Sequence, residues 1–302
     1  MLRDRLEYLA FSLLALAVRA LPVSLMRGVA RSCGRLVFRL GGRRRGWALE
    51  NARIAMPAAT EVERRSIVRE SYANLGLNLV DMVRSERWSD EEVRARVEYQ
   101  GFEHIERALA DGRGVFLVSA HLGNFELGVR SLGAYGLPLL IIARPLRNQL
   151  LYDRLALART HSDGVDMIER DRAAVPMLRA IKRNRCVGVL LDQYSRRTRG
   201  VFVPLFGARC STSAGVATIA LRAEAPVLCL SVRRIGPDRH LVEVSPPISV
   251  ERTGDRKADI ESATAAYLSA LEKRILSCPE QWMWGHRRFR HSPDLDFEPY
   301  AS

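Results

Sequence analysis

From residue 114 onward the chain alternates short runs of β-forming apolar residues with stretches of helical apolar spacing. That alternation restricts it to the α/β class. The strand candidates are residues 114–119, 139–143, 186–191, 227–232 and, with weaker alternation, 240–244. Between them, residues 124–132, 148–160, 173–183, 214–223 and 259–276 read as helices. Residues 47–98 read as helical throughout, with Pro57 and Thr60 marking a helix start. The expected architecture is a central, mostly parallel sheet flanked by helices. With 302 residues, 47% of them hydrophobic, the chain can bury one large core.

The N-terminal region has a different texture. Residues 8–18 carry no charge, Arg19 interrupts, and the apolar run resumes to Met26. A spanning helix needs roughly 20 apolar residues, so this segment is borderline. Arg3 and Arg5 precede it as in a signal peptide, but no small-residue cleavage site stands out. Next, Arg27, Arg31, Arg35 and Arg39 recur at every fourth position. On a helix they form one stripe drifting about 40° per step. Gly41-Gly42 and the cluster Arg43, Arg44, Arg45 follow. A basic amphipathic helix beside an apolar segment reads as a membrane-surface anchor, with the body on the cytoplasmic side. The expected organisation is an N-terminal helical anchor over 1–45 and a catalytic domain over 46–302.

Lys and Arg outnumber Asp and Glu by 47 to 34, a net charge of +13. Such a surface attracts anions of several kinds: nucleic acid, anionic lipid, phosphorylated substrates or an acidic protein. The five cysteines are scattered and form no C-x-x-C pair, which argues against a zinc site or a disulfide framework. No metal or cofactor is expected. The signatures G-x-S-x-G, H-E-x-x-H, G-x-G-x-x-G and the Walker loop are missing.

The sharpest local feature is Ser119-Ala-His121-Leu-Gly-Asn124-Phe-Glu126. His121 follows a buried-strand signal, and ligands of open α/β sheets bind outside the carboxyl ends of strands. Residues five apart lie about 140° round a helix. His121 and Glu126 therefore meet only if His121 is in the loop and Glu126 in the first turns of the next helix, with Gly123 allowing the turn. Glu126 would then fix one imidazole nitrogen, leaving the other as a general base. From spacing alone, a structural histidine is the commoner outcome.

These residues resemble the H-x4-D/E motif of the glycerolipid acyltransferases. More specifically, the chain resembles the late acyltransferases of lipid A biosynthesis. Further matching segments, in order, are Arg43-Arg44-Arg45 with Asn51, Asn74-Leu-Gly76, residues 143–148, Asp192-Gln193, residues 200–207, Ser213-Ala-Gly215 and residues 279–289. Tyr194-Ser195 depart from the pattern after Asp192-Gln193. The resemblance implies direct acyl transfer from a thioester, with acyl carrier protein as donor, to a hydroxyl of a lipid A precursor or related glycolipid at the bacterial inner membrane. His121 is implied as the base and Glu126 as its partner. Arg144, Arg159, Asp192 and Gln193 become candidates for substrate contacts, the two arginines by their place in the matched region. Anionic membrane is the expected surface partner, and nucleic acid is not. The alternatives are acylation of a lysophospholipid or inositol mannoside, or a non-catalytic binder of anionic membrane or nucleic acid; the last leaves the His121 segment unexplained.

Overall fold

The computed structural model describes residues 2–196, 200–295 and 299–300. Its eleven described helices are α1 (Leu2–Ala20), α2 (Val23–Leu40), α3 (Arg43–Ala55), α4 (Glu61–Ser85), α5 (Asp90–Arg94), α6 (Phe102–Ala110), α7 (Phe125–Ala134), α8 (Gln149–Arg159), α9 (Ala174–Lys182), α10 (Gly215–Ala223) and α11 (Arg256–Ser277). The strands are β1 (Val97–Gln100), β2 (Val115–Ser119), β3 (Leu139–Ala143), β4 (Val165–Glu169), β5 (Cys186–Leu190), β6 (Gly200–Leu205), β7 (Ala208–Ser213), β8 (Val227–Gly236) and β9 (Arg239–Val244).

Seven strands form one sheet in the order β1-β9-β8-β2-β5-β3-β4, and β6 and β7 form a separate antiparallel hairpin. All neighbours in the large sheet are parallel except β8 and β9. β2 lies at the centre with all five residues buried, which its unbroken apolar run requires. Its side chains alternate between two layers. Phe116 and Val118 join a cluster with α9, α10 and α11, while Val115 and Leu117 join one with α6 and α7. The α/β expectation therefore holds. Two strands within the sheet carry little sequence signal, β1 (expected as helix) and β4. Both are sheet edges, so only part of each is buried and the apolar pattern is weak.

Thr60 caps α4 in a full capping box with Glu63, so this helix starts where the sequence indicates. Helices α2 and α4 then cross backbone to backbone. A Cβ on Gly34 would lie 2.2 Å from the Tyr72 carbonyl oxygen, and one on Gly76 would lie 2.3 Å from that of Ala30. Only glycine fits at such a crossing.

That crossing corrects the reading of the arginine stripe. Arg27 turns inward to Asp81 (3.2 Å) and Asp238 (2.7 Å), and Arg35 pairs with Glu70 (2.8 Å). Both flank the face that packs on α4. Arg45 folds back onto the carbonyls of Phe38 and Arg39 at the end of α2. Arg31, Arg39, Arg43 and Arg44 remain exposed. The outward face of α1 is apolar instead: Leu2, Leu6, Leu9, Leu13 and Leu16 form an exposed stripe at helical spacing. Leu25, Val29, Leu36 and Leu40 extend exposed apolar surface along α2. Among the described residues no helix is long and apolar enough to cross a membrane.

Candidate active site

β2 and β5 are parallel neighbours in the register Ser119↔Leu190. The ladder continues one residue further, with Leu191 N–H donating to the Ser119 carbonyl. Carried on at the same offset, it places Asp192 opposite His121, just outside the carboxyl ends of both strands. The Asp192 carboxylate accepts from His121 Nδ1 through Oδ1 (2.8 Å), and from the His121 backbone N–H through Oδ2 (2.8 Å). Trp282 Nε1 is a third donor, also to Oδ2 at 2.8 Å. With Nδ1–H donated to Asp192, Nε2 is left as an acceptor. Its partner among the described residues is the Gln193 side-chain amide at 3.3 Å, not a hydroxyl or thiol.

The electrostatics follow from this packing. Burial works against a charged imidazole, but the adjacent Asp192 carboxylate, with help from Glu126, holds the His121 pKa above its usual value. Burial likewise works against the Asp192 carboxylate. His121, the Trp282 N–H and the His121 backbone N–H outweigh it and hold Asp192 well below the ordinary carboxylate range.

The turn carrying His121 is over-determined. Gly123 has φ +55°, and a Cβ there would lie 1.9 Å from the Val232 carbonyl oxygen. Asn78 of α4 donates to the Gly123 carbonyl (2.6 Å), and Gly123 N–H donates to the Gln281 carbonyl (2.9 Å). Met283 N–H donates to the His121 carbonyl (3.0 Å), and Leu122 forms an isolated β-bridge with Trp282. Asn124 caps α7 by accepting from Leu127 N–H.

Glu126 lies in the first turn of α7, as its spacing from His121 predicts. Its carboxylate does not hold the imidazole. It takes both arms of Arg159, at 2.8 and 2.5 Å, from the last turn of α8. A guanidinium fork matches a carboxylate in two parallel bonds, so it wins the direct contact. The hydrogen-bonded partner of His121 is Asp192, and Glu126 acts on the ring only through space.

His121, Glu126, Arg159, Asp192 and Gln193 thus come together. Arg144 stands exposed at the end of β3, apart from these contacts. Sequence reading gave no individual role to Trp282, Asn78 or Asn51, although Asn51 and Trp282 lie in segments it singled out. Asn51 Nδ2 donates to the carbonyls of Trp284 (2.7 Å) and His286 (2.6 Å), fixing the segment that carries Trp282. His286 lies in the field of the same groups, and burial pushes its pKa down to about 4, so it is neutral at physiological pH. Among the described residues no cluster of three or more His, Cys, Asp or Glu could hold a metal ion.

A family model described as "Bacterial lipid A biosynthesis acyltransferase" matches residues 2–291. The chain is 29% identical over 296 residues to the lipid A biosynthesis lauroyltransferase of Escherichia coli K12, covering 96% of this chain and 92% of that protein. It is 29% identical over 254 residues to the palmitoleoyltransferase of the same strain (83% and 80% covered). It is 22% identical over 268 residues to the myristoyltransferase (88% and 81% covered). A half-buried histidine bonded to a buried carboxylate at the ends of parallel strands, in a chain matched over nearly its whole length, belongs to an acyltransferase of the bacterial lipid A biosynthesis acyltransferase family.

Proposed function

We propose that this enzyme transfers a fatty acyl chain from the thioester of acyl carrier protein to a hydroxyl of a lipid A precursor, with His121 as general base and Asp192 as the carboxylate that orients it. The observation that carries the reading is the register-built pair itself: Nδ1 is committed to Asp192 while Nε2 is left as an acceptor. Nε2 takes the proton of the acceptor hydroxyl as its oxygen attacks the thioester carbonyl. The C–O bond forms, the carbonyl becomes a tetrahedral oxyanion, and Asp192 stabilises the imidazolium. The oxyanion collapses, the C–S bond breaks, and the leaving thiolate takes the proton back from Nε2. Arg159 is the donor assigned to the oxyanion. Glu126 occupies its Nε and Nη2, while among the described residues Nη1 has only the weak contact of Met167 Sδ at 3.7 Å. Glu126 therefore acts by aiming Arg159 and by its field on His121. Gln193 and the exposed Arg144 are assigned to substrate contacts.

The exposed leucines of α1 and the apolar face of α2 are assigned to the cytoplasmic surface of the inner membrane, with Arg31, Arg39, Arg43 and Arg44 available to anionic headgroups. In this reading residues 1–45 are the membrane-contacting region and 46–302 the catalytic domain. The division is one of task, since α2 is packed tightly on α4. The +13 charge favours an acidic carrier protein as donor through steering that weakens with salt.

The test is transfer by purified, detergent-solubilised enzyme, read by the mass of the lipid A precursor. One acyl chain should be gained, faster from acyl carrier protein than from coenzyme A, with the advantage shrinking as salt rises. No mass gain from either thioester would refute the acceptor. Equal, salt-insensitive use of both would refute the donor.

A further inference from the structure

Between α1 and α8, on the side of α8 away from Arg159, lies a cleft of about 630 Å³ that the chemistry above does not use. Its composition is divided. The cationic part is Arg19, Arg87 and Arg154, with His161 beside them. Glu86 lies between two of these arginines: Arg19 pairs with it, and Arg154 bonds it through Nε and Nη2 (3.2 and 2.8 Å). The other acid, Asp153, accepts from Gln149 (2.7 Å). Three guanidinium groups against two carboxylates leave a net positive lining. Arg87 is exposed, and its side chain has no partner among the described residues. The remaining wall is apolar: Leu150 and Leu157 of α8 are exposed in the cleft. On α1, Tyr8 lines the cleft beside the outward leucine stripe.

A cationic recess bordered by exposed leucines suits a ligand that is anionic at one end and apolar at the other. We infer that this cleft is a discrete site for the phosphate headgroup of an anionic bilayer lipid, whose acyl chains run along Leu157 and the leucine stripe of α1. The inference rests on the membrane placement proposed above and refines it. The enzyme is held by one specific lipid and not only by a diffuse apolar and basic face. Arg19, Arg154 and Glu86 brace α1 against α8 and set the shape of the recess, while Arg87 and His161, both exposed along it, meet the phosphate. The site has a fixed relation to the reaction centre, because α8 carries the recess on one face and presents Arg159 on the other.

Native mass spectrometry of the full chain, released from neutral detergent with dioleoyl phosphatidate, tests the site without any membrane surface potential. One phosphatidate should be retained per protein, and phosphatidylcholine should not. Arg87→Glu should weaken retention about tenfold, and Leu157→Glu should weaken it independently. Arg222→Glu, the same charge change on an exposed arginine of α10 outside the cleft, should retain the lipid. Detergent-phase transfer activity and thermal melting should stay unchanged in all three. Three outcomes would each overturn the inference: equal retention by Arg87→Glu, equal loss in Arg222→Glu, or displacement by equimolar inorganic phosphate. Because transfer in detergent is read separately, loss of the lipid site and failure of the catalytic reading remain distinguishable.

Discussion

His121 lies 2.8 Å from Asp192, and His240 lies 3.5 Å from Asp81. The first pair has three donors converging on one carboxylate, all of them from the ring, the backbone and an indole, and no guanidinium among them. Its imidazole is 17% exposed, and the nitrogen not bonded to Asp192 has the Gln193 amide at 3.3 Å. The second pair is sealed. Asp81 is claimed by Arg234 (2.6 Å) and Arg27 (3.2 Å), with Asn124 at 3.4 Å. His240 is left too far away for a good hydrogen bond. Burial and the charge of Arg234 outweigh what Asp81 offers, and the pKa of His240 is lowered. Proximity of a carboxylate therefore does not by itself raise the pKa of a buried imidazole. The carboxylate must also be free of arginine. Arg234 and Arg27 turn the second aspartate into a structural anchor that joins α2, α4 and β8, and reaches the cap of α7 through Asn124.

The largest effect that separates the pairs is expected at His121. His121→Ala should lower transfer by about 10²–10⁴-fold and leave the chain folded, because it removes the proposed proton acceptor while Asp192 keeps its Trp282 and backbone donors. Near wild-type transfer by a normally melting variant would erase the distinction. Asp81→Ala should act on the fold instead. Stripping a carboxylate from two buried guanidinium groups costs about 3–5 kcal/mol, read as a lower denaturation midpoint. Unchanged stability would mean that the arginines find other partners.

Asp192→Asn should lower the turnover number by about 10²-fold and also move the pH profile. A base must be neutral to work, and Asp192 raises the pKa of His121. The acid limb of the wild-type kcat/KM profile should therefore lie above the ordinary histidine value of about 6.5. Without the carboxylate charge, burial dominates and the limb should shift to lower pH. An unmoved limb would show that another group sets it. The smallest effect is expected for His240→Leu. Among the described residues neither ring nitrogen has a hydrogen bond to lose, so stability should change by less than about 1 kcal/mol and transfer should not change.

The same contrast explains what could be read without coordinates. The unbroken apolar run of β2, the histidine just past it and the glycine in the turn are local, and each lies where its position in the sequence suggests. The partner of His121 is not local. Asp192 reaches it through the register of two strands that are neighbours in the sheet but separated in the chain by β3 and β4. No spacing rule along the sequence encodes that pairing. Glu126 was the nearer carboxylate in sequence, yet Arg159, arriving from α8, claimed it. Arg27 likewise belongs to a regular stripe by sequence, while in space it is half of a buried ion pair. Side chains whose partners arrive from distant segments are the ones a linear reading misassigns.

The bond from Met283 to the His121 carbonyl, the Leu122–Trp282 bridge and the Trp282 donor to Asp192 have a consequence in time. A ribosome adding about 5–20 residues per second reaches Trp282 roughly 10–30 s after it has placed His121. Throughout that interval the nascent chain holds His121, then Asp192, without the indole that helps settle the aspartate or the segment that pins the turn. A message cut short before that segment should yield protein with the histidine in place and neither the third donor to Asp192 nor the bonds that pin the turn.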